Sequence, residues 1–305
     1  MTNILHDLID SVKEQGLHVL NVVLRQDGKI SARCDFSEEK PVLLWSASKT
    51  FVSMAIGIAE FEGYFSKNDK LIDYLQSPRE TNENLANLRI RDLLCMGSGH
   101  RFCPVSRAME KGESLDDISS LFFTEAFVDA PGTKFKYDNS ATYMLSKLIT
   151  IRTGLSLRDY LIPRIFFPLE IETPQWLADP SGISFGCSGL FLNATDLSKF
   201  GQLLLNQGVW NGKQLIPADY VHQATHPQIS TADFNEPFAT ADYQNGYGYQ
   251  LWMNRVPNTF RIDGLYGQYS IGLPEQNAVV TYISNEPEKM TSIIELTWDT
   301  LLGKL

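Results

Sequence analysis

Apolar residues Ile4, Leu5, Leu8, Ile9 and Val12 recur at helical spacing, which predicts a docked amphipathic helix near the start of the chain. Residues 18–24 follow as an apolar run, and Asp27-Gly28 is a strong hairpin turn leading into residues 29–36. The pattern then changes. Across residues 46–63, Phe51, Val52, Ala55, Ile56, Ile58 and Ala59 are dense enough for a helix that is apolar nearly all round, placed in the core and ended by Gly63. Residues 64–240 read as mostly helices and loops. Within them, residues 141–152 carry Met144, Leu145, Leu148 and Ile149 on one face and stop at Gly154. A second helix, capped by Thr195 or Asp196, bears Leu197, Phe200, Leu203 and Leu204 and ends near Gly208. Asn211-Gly212 marks a small hairpin. Strands return at residues 247–253, 259–263, 268–273 and 278–284, the last two joined by Pro274-Glu275-Gln276-Asn277, and a terminal helix covers residues 289–302.

Strands near both ends with helices between them predict an α/β (α+β) fold. One antiparallel sheet is assembled from both ends of the chain and flanked by helices, with a mostly helical domain inserted. The expected division is residues 1–63 and 245–305 for the sheet-containing domain and 64–244 for the insertion. A ligand cleft is expected where the two meet. The sequence shows no internal repeat and no low-complexity linker.

The charge balance narrows the partners. With 26 basic and 36 acidic side chains the net charge is −10, which argues against a nucleic-acid binder. Apolar residues at 43% and charged residues at 20% are those of a folded chain, and no apolar stretch approaches the roughly 20 residues of a membrane helix. The first ten residues, from Met1, mix acids with apolar residues and have no basic flank or cleavage site. Cys34, Cys95, Cys103 and Cys187 lack CxxC pairing and metal-ligand spacing, so they read as small buried hydrophobes of a reduced, cytoplasmic protein. Neither cofactor nor metal is called for. A small molecule is the expected partner, and the oligomeric state is left open.

The candidate chemistry begins at the buried helix. In Ser46-Ala47-Ser48-Lys49, positions i and i+3 share a face, so the Lys49 amine approaches the Ser46 hydroxyl while the helix N-terminus favours negative charge nearby. Desolvation against an apolar helix disfavours the charged form of such a lysine and makes it a candidate general base. Ser37-Glu38-Glu39-Lys40 matches the same spacing but is polar and followed by Pro41, so it reads as a loop. Further along, Tyr137 and Asn139 lie on one side of an extended segment and can enter a pocket together. Tyr243-Gln244-Asn245 repeats that pattern and reads as a turn.

Rival signals are weaker. Gly182-Ile183-Ser184-Phe185-Gly186 fits a nucleophile elbow, with Asp196 or Asp219 and then His222 or His226 downstream, yet the flanking residues provide neither the strand before it nor the helix after it. His222 and His226 are four apart, but no Glu accompanies them and Pro227 ends the segment. His100, after Gly97-Ser98-Gly99, reads as a turn residue.

Together these residues resemble the class C serine β-lactamases, the penicillin-binding DD-peptidases and related esterases. Ser46-Ala47-Ser48-Lys49-Thr50-Phe51 is similar to their first motif and Tyr137-Asp138-Asn139-Ser140 to their second. Leu93-Leu94-Cys95-Met96-Gly97-Ser98-Gly99 is similar to a stretch between them. Gly189-Leu190-Phe191, residues 194–205 and Val209-Trp210-Asn211-Gly212 are similar to a segment of β-lactamase-related hydrolases, including 6-aminohexanoate-oligomer hydrolases. The resemblance covers about residues 18–284 and implies an α/β domain plus a helical insertion. It also implies Ser46 as acylated nucleophile, Lys49 and Tyr137 sharing proton transfer, and Asn139 holding the substrate's carbonyl region. The third motif departs. Where members carry Lys-Thr-Gly or His-Gly-Gly, this chain has Gly264-Leu265-Tyr266-Gly267-Gln268, with Leu265 at the cationic position. Tyr266, Gly267 and Gln268 then line the substrate site, and the backbone N–H groups of Ser46 and Gln268 form the oxyanion hole. The expected function is a serine hydrolase acting through an acyl-enzyme on an ester or small neutral amide. The alternative is a catalytically weak or inactive binding or sensing protein on the same scaffold.

Overall fold

Asp27 and Gly28 both adopt positive φ, 51° and 77°, the backbone that a tight hairpin between twisted strands requires. They join β1 (Val19–Gln26) to β2 (Lys29–Asp35). The computed structural model describes residues 4–77 and 80–305. Met1, Thr2 and Asn3, part of the reading of the chain's start, lie outside the described residues. Four further strands, β3 (Trp252–Met253), β4 (Phe260–Gly264), β5 (Gln268–Leu273) and β6 (Ala278–Ser284), complete a six-stranded sheet among the described residues. Its order is β2-β1-β6-β5-β4-β3, with every neighbouring pair antiparallel. Strands from the two ends of the chain thus meet inside the sheet, β1 against β6.

Both faces of the sheet are covered, and side-chain alternation shows by what. Tyr282, opposite Val22 in the register, shares a hydrogen bond of 2.8 Å with Thr297 of α5 (Met290–Thr300), which packs beside α1 (His6–Glu14). Arg25, three residues beyond Val22 and so on the opposite face, donates from Nε to Ser198 Oγ at 2.9 Å in α4 (Ala194–Leu205). Beyond α4 lies α2 (Ser48–Phe61), buried from Ser48 to Ala59. Its Phe51 ring stacks on Phe200 of α4 with centroids 3.6 Å apart, so Phe51→Ala would cost about 4 kcal/mol. α2 packs in turn on α3 (Asn139–Thr153), which ends at Gly154 in the left-handed conformation.

Several expectations are corrected. The helix predicted from residue 46 is two elements, since Ser46 lies in a 3-10 turn (Trp45–Ala47) and the α-helix starts at Ser48. Asn193, rather than Thr195 or Asp196, caps α4: its Oδ1 accepts from Asp196 N at 2.7 Å, while the Thr195 amide and hydroxyl both donate to Glu39 Oε1 at 2.8 Å. Only Trp252–Met253 of the predicted strand at residues 247–253 is strand. Gln250 breaks it at φ 63°, its backbone engaged with Leu94 and Thr50 instead of a neighbouring strand. The segment before α3 is not extended throughout, because Asp138 is the N-cap and Asn139 is already helical.

Candidate active site

Ser46 owes its position to the residue before it. Trp45 holds φ 50°, a left-handed conformation that a bulky side chain adopts only under constraint from its surroundings. The turn is closed by Ala47 N donating to Leu44 O at 3.1 Å. One helical turn on, Lys49 Nζ donates to Ser46 Oγ at 2.9 Å and to the Cys187 carbonyl at 2.8 Å. Lys49 is 1% exposed and Ser46 half-buried. The amine also lies 4.9 Å from the centroid of the Tyr137 ring, a distance at which a ring face attracts a cation. The structure therefore gathers Ser46, Lys49 and Tyr137 at one point.

Behind Tyr137 stands Trp252, its ring nearly parallel at 6.0 Å and 15°. Trp252 is buried among Phe135, Phe234, Tyr243 and Tyr247, so Tyr137 leans on a rigid aromatic block. Asn139 opens α3 two residues later, half-buried, and its carboxamide makes no hydrogen bond among the described residues. Gln250 ties the two helices together. Its carbonyl accepts from Thr50 Oγ1 (2.9 Å), its Oε1 from Thr142 Oγ1 (2.6 Å), and its Nε2 donates to Leu93 O (3.0 Å) and Leu94 O (2.9 Å).

The Gly264-to-Gln268 segment is the turn between β4 and β5, with Tyr266 at φ 64° and Gly267 at φ 86°. It lies directly on the Ser46 turn. A Cβ at Gly264 would fall 2.3 Å from Leu44 O and 3.1 Å from Ala47 N, so only glycine fits there. The Tyr266 ring meets the Trp45 ring edge-on at 5.4 Å, and Leu265 is 40% exposed. Gln268 is buried, its side chain bridging the turn to β6: Oε1 accepts from Ser284 N, while Nε2 donates to Ser284 O and, at 3.4 Å, to Leu265 O.

Asp138 is fully buried, and His100 lies against it with Nδ1 2.8 Å from Oδ2. Burial pushes the Asp138 carboxyl up, but the bond and charge of His100 and the bonds from Ser140 outweigh it and hold the carboxyl below its ordinary value. His100 is thus a buried partner of the second motif and not the turn residue expected. Burial raises the Cys187 thiol, with Lys49 acting against it. Sequence reasoning missed Trp45, the Cys187 carbonyl, Gln250 and Trp252. Only the tryptophan preceding Ser46 offered a signal.

The rivals gain no geometry. Ser184 is buried in an isolated bridge to Ala178, its carbonyl accepting from Ser146 Oγ at 2.7 Å. His226 Nδ1 lies 2.7 Å from the His222 carbonyl, an arrangement internal to one helix end. Tyr243 is buried with its hydroxyl donating to Asp263. Among the described residues no group of three or more His, Cys, Asp or Glu is arranged to hold a metal, and no helix is long and apolar enough to cross a membrane.

Comparison with known proteins places this geometry. A family model described as beta-lactamase matches residues 6–302. The chain belongs to the beta-lactamase family. It is 25% identical over 188 residues to a 6-aminohexanoate-dimer hydrolase of Paenarthrobacter ureafaciens, covering 61% of this chain and 47% of that one, so the match spans about half of the relative's length. Among solved structures it is similar to a Bacillus anthracis protein provisionally assigned as a 6-aminohexanoate-dimer hydrolase (TM-score 0.80, 20% identity, 98% of this chain and 82% of that). It is also similar to EstCE1, a hydrolase with promiscuous acyltransferase activity (TM-score 0.77, 14% identity, 98% of each chain). At these identities the structural likenesses show the beta-lactamase fold and, with it, the mixed architecture of antiparallel sheet and helices.

Proposed function

We propose that this beta-lactamase-family chain is a serine hydrolase that works by acyl transfer on an ester or a small neutral amide. The observation carrying the proposal is the 2.9 Å contact between Ser46 Oγ and the buried Lys49 Nζ, with the Tyr137 ring beside it. Ser46 attacks the substrate carbonyl and forms the new C–O bond, and its proton passes to the Lys49 and Tyr137 pair. The oxyanion is met by the backbone N–H groups of Ser46 and Gln268. Collapse expels the alcohol or amine, which takes up the proton, and water then releases the acyl group. Asn139, its carboxamide uncommitted, orients the carbonyl region, while Tyr266 and Gly267 form the opposite rim.

A carboxylate-bearing substrate fits poorly, because Leu265 stands at the rim and the turn from 264 to 268 contains no cation. That same absence favours the second reading, a binding or sensing protein on this scaffold. Incubation with a fluorophosphonate separates them: a mass increase on the intact protein, lost in Ser46→Ala, is expected. Labelling that persists in Ser46→Ala would refute the acyl-enzyme. Ligand-induced thermal stabilisation without turnover of any p-nitrophenyl ester would favour the sensor.

A further inference from the structure

Asp138 stands between Tyr137 and Asn139, and its two carboxylate oxygens have separate partners. Oδ1 accepts from Ser140 N (2.9 Å), Ser140 Oγ (2.6 Å) and Ala141 N (3.4 Å), which caps α3. Oδ2 accepts from His100 Nδ1 (2.8 Å) and Ser98 Oγ (3.2 Å). The backbone is held by the same segment, since Lys136 N donates to Met96 O at 2.8 Å and Asp138 N to Met96 Sδ at 3.3 Å. Residues 96–100 therefore clamp residues 136–138 along both main chain and side chains.

His100 is built in with care. Gly99 at φ 81° lets the chain pass Asp129, whose carbonyl would lie 2.3 Å from any Cβ, and the Gly99 carbonyl accepts from Val128 N and Asp129 N. The imidazole is wedged against Phe122 and Phe127, centroids 4.7 and 4.2 Å away. Its Nε2 is buried with no hydrogen-bond partner among the described residues. A leucine would fill this apolar cage without burying an unpartnered nitrogen, so space-filling does not explain a histidine here. What leucine lacks is the Nδ1–H aimed at Asp138.

The geometry points to His100 and Asp138 as a positioning pair that holds Tyr137 at the site through the Nδ1 bond to the carboxylate that follows it in the chain. The pair is sealed from solvent and touches no substrate. Its importance rests on the acyl-transfer role proposed for Tyr137, since a displacement of about 1 Å at a reacting group costs on the order of a hundredfold in rate.

Steady-state hydrolysis of a p-nitrophenyl ester by the full chain tests this with His100→Leu, His100→Asn, Tyr137→Phe and the His100→Leu/Tyr137→Phe double variant. His100→Leu, folded by circular dichroism, is expected to lower kcat about tenfold to a hundredfold with little change in KM. His100→Asn, whose Nδ2–H replaces the lost donor, is expected to recover most of that rate. The double variant should lose no more than Tyr137→Phe alone, because the two changes act through one group. Wild-type kcat in His100→Leu, equal losses in the leucine and asparagine variants, or fully additive losses in the double variant would overturn the pairing. If His100→Leu does not fold, Asp138→Asn takes its place in the same cycle, where additivity again overturns the pairing. A Tyr137→Phe enzyme at wild-type rate would strike instead at the acyl-transfer role of Tyr137, and the pairing would fall with it.

Discussion

The two walls of the site are made differently. One wall, the Ser46 turn with α2 and α3, is buried and cross-linked: Lys49 to Ser46 and Cys187, Gln250 to both helices, His100 to Asp138. The other is the β4–β5 turn, where Leu265 is 40% exposed and Tyr266 rests edge-on against Trp45. A buried hydrogen-bonded network fixes geometry, whereas the exposed Leu265 side chain can change at little cost to the fold. On the proposed mechanism, the first wall supplies the nucleophile and the proton transfer, and the second supplies one oxyanion N–H and the choice of substrate.

The contrast is sharpest at the proposed nucleophile, where Ser46→Ala is expected to lower kcat by roughly a thousandfold or more while leaving the melting temperature near wild type. Esterase assay beside calorimetry checks both, and retained turnover would break the assignment. Tyr137→Phe follows, with an expected loss of about a hundredfold in kcat, read in the same assay. Asp138→Asn should destabilise the chain by about 2 kcal/mol near pH 7, measured by urea unfolding. The folded carboxyl lies below its ordinary value of 3.8, so its contribution is complete above about pH 4 and lost as pH falls through the folded value. The gap between wild type and Asp138→Asn should therefore narrow at pH 3, and a gap that widens would contradict the pairing. The smallest effect is expected on the second wall: Leu265→Lys should lower KM only a few-fold for esters carrying a carboxylate, since an exposed ion pair is worth under about 1 kcal/mol. Neutral esters should be unaffected, and an equal change for both substrates would remove the turn from substrate choice.

Much of the first wall was legible because it is written in local pattern. Ser46 and Lys49 share a helical face, and the dense apolar run from Phe51 to Ala59 announces a buried helix. The hairpin at Asp27-Gly28 and the strands at residues 268–273 and 278–284 were equally plain. What escaped notice was contact between distant residues. Cys187 serves Lys49 with its carbonyl from 138 positions away, and a backbone oxygen leaves no trace in the choice of side chain. His100, following two glycines and a serine, looks like loop punctuation until folding brings it to Asp138. Gln250 interrupts a stretch of strand-forming aromatics, and its left-handed backbone answers to α2 and α3 rather than to local propensity.

The sheet order has a consequence for the timing of synthesis. β1 leaves the ribosome long before its neighbour β6, which begins at Ala278, and the β4–β5 turn that closes over Ser46 arrives with residues 264–268. A nascent chain halted near residue 250 holds Ser46, Lys49 and Tyr137 but neither the second wall nor the middle of the sheet. Such long-range pairing is slow to form and leaves strand edges bare meanwhile. On the proposed mechanism the site is thus incomplete until residues 264–284 have emerged, and the bare strand edges come before it.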